Sequence, residues 1–453
     1  MSMHERNFSV STSSAAAAAA CSRAVEKFTQ RKIDVVPCLQ EALAADPDCG
    51  FAHAVSGLML HGARQSSLMP LIEDSLAAAK RLRASMNHRE QAYVDALECG
   101  AAGNLHGMVD HYEKILAAHP TDILALVLCQ GELFWLGEMQ RSERASSMVA
   151  SAWHEETPGY PDYLAVRAFD LEECGQYSKA EACGREAVEQ RSSNAWAAHA
   201  VAHVMLMQRR SKEGVDWLEG LQNNWQETNQ MKFHIWWHQC LFYLETRQHD
   251  AVLDGYDNWI RNRNEPLVQV TPDLYIDLQN GASMLWRLEH AGVAVGSRWQ
   301  EMAELVEKRL LDMSSPFTSA HYAVILAAVG NYKACDTLIE AMRDFASASP
   351  ATLAERYRVA AIPAAEAAVA HRRGQYQNVL DSLLPVRQAL WQMGASHAQR
   401  DLFFQMLVDA AARSGKTDLV QSLLQEIELI GFVEPAQRVA YASAVSQVDS
   451  ARS

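Results

Sequence analysis

A short grammar recurs along this chain and limits what it can fold into. "GNLHGMVDHYEKILAAHPTDILAL" starts at Gly103, "GQYSKAEACGREAVEQRSSNAWAA" at Gly175, "GNYKACDTLIEAM" at Gly330 and "GQYQNVLDSLLPV" at Gly374, with a half-copy, "CLQEALAADPDCGFAHAVSGLML", from Cys38. The common elements are Gly-x-Tyr, small residues at helical spacing and a closing Pro or Asn. A helix that ends at the glycine and a second that opens at the tyrosine explain the pattern, and the small residues let the two helices approach closely. Strand signals are almost absent, with little period-two alternation and no Asn-Gly or Asp-Gly turn between β-branched runs. Apolar residues instead recur at three and four, in blocks of about 12 to 18 residues.

The grammar resembles the tetratricopeptide repeat (TPR), although its copies lie closer to about 40 than to 34 residues apart. It predicts an all-α fold, a right-handed α-solenoid of divergent TPR-like helix pairs that runs through residues 1–453 as a single unit. Residues 1–15 and 445–453 are expected to be flexible ends. A helix pair cannot bury its apolar face alone, so neighbours stack and leave a concave surface. The first helices, expected to line that surface, fall at residues 194–209, 231–247, 272–289, 317–329, 355–373 and 397–414. Outer helices are expected at 212–223, 249–261 and 298–313.

Composition narrows the partners. A formal net charge of −15 over 453 residues argues against a nucleic-acid backbone, which needs a basic stripe. No apolar run approaches the roughly 18 residues that span a membrane. Nine cysteines without paired spacing fit free thiols in a reducing compartment, and the cytoplasm is the expected location. "STSSAAAAAACS", residues 11 to 22, faintly resembles a leader ending in a lipid-modified cysteine, but reads better as a capped helix start. The oligomeric state is not fixed by the sequence.

Ionisable residues embedded in the expected first helices are the candidate site. "NAWAAHAVAHVMLM" carries His199 and His203 one turn apart, and "FHIWWHQCLFYL" carries His234, Trp237 and His238. "PDLYIDLQNGASMLWRLE" sets Asp277 among apolar neighbours, "SAHYAVIL" contributes His321, and "GASHAQRDLFFQML" offers His397, Arg400 and Asp401. One histidine on an apolar face is more often a satisfied core residue. Recurrence on helices of one layer favours a ligand pocket, because such groups are costly to bury unpaired. His238, His203 and Asp277 are the candidates for acid–base catalysis. A zinc or other divalent ion on His203, His234 and His238 is the alternative, against which stands the missing glutamate of the His-Glu-x-x-His pattern. No glycine-rich phosphate loop, nucleophile elbow or dinucleotide fingerprint is present. Cys240, two residues after His238, points away from it on a helix and reads as core.

Segments from about residue 45 to residue 407 together resemble the tetratricopeptide repeat protein 38 family: "ADPDCGFAHAVSGLML", "REQAYVDALECGAAGN", "HPTDILAL", "NAWAAHAVAHV", "WWHQCLFYLE", "SMLWRLEHAGVAVGSRW" and "HAQRDLF". The family pattern carries over to His199, His203, Trp237, His238, Asp277, His321, Arg400 and Asp401. Ser319 stands where the pattern has Asp and His397 where it has Asn. The resemblance implies a divergent repeat fold and brings no reaction with it. Two functions compete. In the first, the concave groove is a protein or peptide interaction module, the usual task of this repeat class. In the second, the groove closes into a small-molecule or catalytic pocket lined by His203, His234, His238, Asp277, His321 and Arg400, with histidine as acid or base and Arg400 clamping an anion.

Overall fold

The computed structural model describes residues 9–431 and 435–452. Residues 1–8 and 453, parts of the two ends expected to be flexible, lie outside the described residues. Of the rest of those ends, Ser11 N–H donates to Glu90 Oε1 at 2.8 Å and Ser11 Oγ accepts from Asn87 N–H at 3.0 Å. The far end forms the helix Ala442–Arg452. Among the described residues the fold is all-α, with an isolated β-bridge between Lys32 and Thr228. The alanine run forms the helix Ala15–Thr29, capped by Ser14, whose hydroxyl accepts from Ala17 N–H at 3.2 Å. All nine cysteines are free thiols. No described helix is long and apolar enough to cross a membrane.

The chain forms two compact units, divided within the helix Ala195–Met207. The first holds Met1–Val201 with Asn223–Met231 and Pro350–Thr352, and the second holds Ala202–Gln222, Lys232–Ser349 and Leu353–Ser453. Both are built of TPR-like antiparallel helix pairs. In the first unit Tyr160–Glu173 packs on Tyr177–Gln190. In the second, Pro316–Ala328 packs on Tyr332–Ala348, and Ile362–Arg372 on Tyr376–Leu383.

The turn chemistry explains both the visible and the hidden repeats. Gly175 (φ 75°) and Gly330 (φ 74°) take the left-handed backbone that ends a first helix. At two further hairpins the same place is held by Arg209 (φ 63°) and Arg247 (φ 59°), which carry a Cβ into a region that disfavours it. Their backbone hydrogen bonds are those of the glycine turns: Arg209 N–H reaches Leu206 C=O at 3.3 Å, and Arg210 N–H reaches Met205 C=O at 2.9 Å.

First and second helices differ in how they bury. Tyr332–Ala348 buries one stripe, Ala334, Cys335, Leu338, Ile339, Met342 and Ala346, at the helical period. Its partner Pro316–Ala328 buries every residue from Pro316 to Ala327, and Tyr275–His290 buries all from Asp277 to Leu288. This corrects the expectation of first helices lining an open concave groove. Helices apolar on every side are core helices, so their polar residues sit inside the second unit rather than on a face.

Candidate functional site

A cavity of about 130 Å³ lies within the second unit. Its apolar wall includes Leu206, Leu241, Leu244 and Phe404, and its charged wall carries Arg209, Arg287, Arg400 and Arg438 against Glu245 and Asp401. Four guanidiniums therefore face two carboxylates. The helix His397–Arg413 delivers Arg400 and Asp401. It opens with a capping box in which Ser396 Oγ accepts from Gln399 N–H at 3.3 Å and Ser396 N–H donates to Gln399 Oε1 at 3.2 Å.

Asp401 is the organising anion. Arg438 clamps both its oxygens, Tyr441 O–H donates to Oδ1 at 2.7 Å, and Arg287 Nη2 stands 4.0 Å from Oδ2. Burial pushes its carboxyl up, but Arg438, Arg287 and Tyr441 outweigh that and hold it well below the usual carboxylate range. Glu245 accepts from Val439 N–H at 3.1 Å and lies 3.5 Å from Arg209 and 3.7 Å from Arg438. These two carboxylates do not neutralise the cluster. Burial, with Arg438 adding like charge, pushes both Arg209 and Arg287 down to about 10. Arg287 donates to Ala398 C=O at 3.0 Å, while Arg400 donates to the carbonyls of Gly394 and Ala395 at the preceding turn.

The histidines form a separate feature of the same unit. His203, His234 and His238 are at most 4% exposed, and each brings a ring nitrogen within 4.8 Å of the others. The His203 and His238 rings are 4.4 Å apart between centroids, and His234 and His238 are 4.9 Å apart. His234 Nδ1 lies 2.9 Å from Asn280 Oδ1, and its ring stacks on Trp237 at 5.2 Å. Burial pushes His234 down to about 3, partly opposed by the Asn280 hydrogen bond. Burial, reinforced by His203, His234 and Arg287, holds His238 well below the usual histidine range. His234 and His238 are thus held as neutral imidazoles. Arg287 stands 5.7 Å over the Trp237 ring.

Of the residues that the sequence assigned to one pocket, only Arg400 and Asp401 line this cavity, joined by His397. His203, His234, Trp237 and His238 come together beside one another. His199 belongs to the first unit, where its ring packs 5.5 Å from Phe169 and 4.9 Å from Trp196. His321 donates from Nδ1 to Phe317 C=O at 2.9 Å, packs on Phe317 and Phe403, and is pushed down by burial to about 4. Asp277 is fully buried, neither carboxylate oxygen accepts a hydrogen bond, and burial pushes it up to about 7 with Arg261 pulling the other way. Sequence reasoning missed Arg209, Glu245, Arg287, Arg438 and Asn280. Arg287 was within reach, since "SMLWRLEH" embeds it among Leu and Trp as firmly as Asp277.

No family model matches the chain. Among solved structures, the human IFIT1 dimer with PPP-AAAA aligns at 11% identity over 94% of this chain and 96% of that one, with a TM-score of 0.43. Yeast Tom70 aligns at 11% identity over 96% and 88%, with a TM-score of 0.38. The P58(IPK) TPR domain aligns at 13% identity over 72% and 88%, with a TM-score of 0.22. The likeness is one of helical architecture and carries no activity. The exclusion of nucleic acid, drawn from net charge, gains no support from these comparisons.

Proposed function

We propose that this protein is a TPR-like binding protein whose second unit takes a small amphipathic anion. The carrying observation is the cavity itself, four guanidiniums against two carboxylates on one wall and leucine and phenylalanine on the other. An arriving carboxylate or phosphate relieves the like-charge burden on Arg209 and Arg287, and the apolar wall covers the rest of the ligand. Size limits the choice. A volume of about 130 Å³ is close to the roughly 150 Å³ cavity that takes a benzene. A small organic acid fits this chemistry, as does the last residue of a peptide with its free carboxylate, and the peptide source keeps the interaction-module reading alive. The buried histidines and Asp277 are not on the cavity wall, so acid–base catalysis on such a ligand finds little support. The ordered motif match supports membership of the tetratricopeptide repeat protein 38 family, and nine free thiols support a cytoplasmic location.

Thermal melting with isosteric probes tests the reading. Benzoate and phenyl phosphate are expected to raise the melting temperature by several degrees at saturation, while benzylamine and benzyl alcohol leave it unchanged. Arg287→Met is expected to abolish the acid effect. A leucine-ended peptide as free acid against its amide separates the two sources. Equal stabilisation by acid and alcohol, or an undiminished effect in Arg287→Met, contradicts the proposal.

A further inference from the structure

The three-histidine cluster asks for a different ligand. Imidazole is a metal ligand in its neutral form, and three imidazoles with one open position are a known zinc arrangement. His203 comes from the helix Ala195–Met207, and His234 and His238 come from one face of Met231–Glu245, a turn apart. A tetrahedral zinc with Zn–N bonds near 2.05 Å needs nitrogens roughly 3.4 Å apart. The nitrogens here already lie within 4.8 Å of one another, a gap closed by small side-chain rotations. Asn280 adds the outer support that ligating histidines usually have. Its Oδ1 faces His234 Nδ1 at 2.9 Å, so Nδ1–H donates and Nε2 keeps the lone pair for a metal.

A buried indole points the same way. Trp237 Nε1–H has no hydrogen-bond acceptor, although its ring lies 5.2 Å from His234 and 4.8 Å from His238. Burying such a group without a partner costs free energy. A water on the ion gives Trp237 Nε1–H an acceptor. Arg287 over Trp237 opposes an added cation, but its own charge is turned toward Asp401.

We propose that His203, His234 and His238 bind one zinc-like divalent ion inside the second unit, oriented by Asn280 and with a fourth position left to water. The site is independent of the anion cavity, since its three ligands are not among the cavity's lining residues. Untagged full-length protein, stripped with a chelator, is titrated with zinc(II) and separately with cobalt(II). The expected result is one equivalent per chain and an intense cobalt spectrum of tetrahedral nitrogen coordination. His234→Ala and His238→Ala are each expected to lose that equivalent. Asn280→Ala is expected to weaken it about 10- to 100-fold, while His321→Ala retains it. If the histidine variants fail to fold, the wild-type cobalt spectrum decides, because a weak octahedral spectrum marks surface binding and overturns the proposal. It is equally overturned if the wild type takes up no zinc at micromolar free metal, or if folded His234→Ala binds as tightly as wild type.

Discussion

Two aspartates on first helices, one in each unit, are buried to the same degree and live very differently. In the first unit Asp170 accepts from Gln130 Nε2 at 2.7 Å, from Ser142 Oγ at 2.7 Å and from Ser146 Oγ, with Arg167 close by. Trp196 Nε1–H closes the network by donating to Gln130 Oε1 at 2.9 Å. Burial still lifts Asp170 to about 6, and those donors account for its standing lower than Asp277 at about 7. Asp277 has no such donors. Asp170 is answered by side chains of its own unit, as in a structural network. The second unit leaves the Asp277 carboxylate and the Trp237 indole N–H unanswered, and lines a cavity with four guanidiniums against two carboxylates. Polar burial of the first kind builds a fold, and polar burial of the second kind is what the proposed ligands would answer.

The widest separation of the two aspartates is expected in their pH dependence. Asp277 has a folded value near 7, above its unfolded value near 4, so its stabilising contribution is complete below about pH 4 and is lost as pH rises through 7. In metal-free protein, Asp277→Asn is therefore expected to gain relative to wild type between pH 4 and 8, by up to about 4 kcal/mol in urea unfolding. A difference that stays flat across that range breaks the contrast. Asp170→Ala is expected to cost about 3 kcal/mol at pH 7, because Gln130, Ser142 and Ser146 are left with unsatisfied hydrogen-bonding groups. A loss below about 0.5 kcal/mol would place Asp170 in the same class as Asp277. The smallest effect is the most diagnostic of the cavity. Arg209→Gly relaxes a left-handed backbone and is expected to add about 1 kcal/mol of stability, while weakening benzoate binding about tenfold by calorimetric titration. Stability and affinity falling together would mark Arg209 as packing.

Much of this architecture is legible in the chain. The expected first helix at 317–329 is observed at Pro316–Ala328, and that at 397–414 is observed at His397–Arg413. Helical periodicity and glycine turns are local signals, and local signals survive in sequence. The hairpins at Arg209 and Arg247 hid from the glycine pattern because a non-glycine residue takes the left-handed turn. The pairing of His203 with His234 and His238 followed from helix layers and is observed. What the chain concealed is depth: the first helices were assigned to a groove and are buried all round. Also hidden was the partition of polar residues between two features. Asp401 is claimed by Arg438 and Tyr441, from a segment with no repeat pattern to place it. His199, in the same His-x-x-x-His spacing as its neighbours, packs against Phe169 and Trp196 in the first unit, and spacing alone does not say which unit a histidine joins.

The central claim, that excess guanidinium in the second unit exists to hold an anion, is tested most directly by a crystal structure of the protein with benzoate or phenyl phosphate. The acid group is expected within hydrogen-bond distance of Arg287, with Arg209 or Arg438 as second partner and the ring against Leu241 and Leu244. Electron density for the acid outside this cavity, with Arg287 still directed only at Ser283, Ala398 and Asp401, would contradict it.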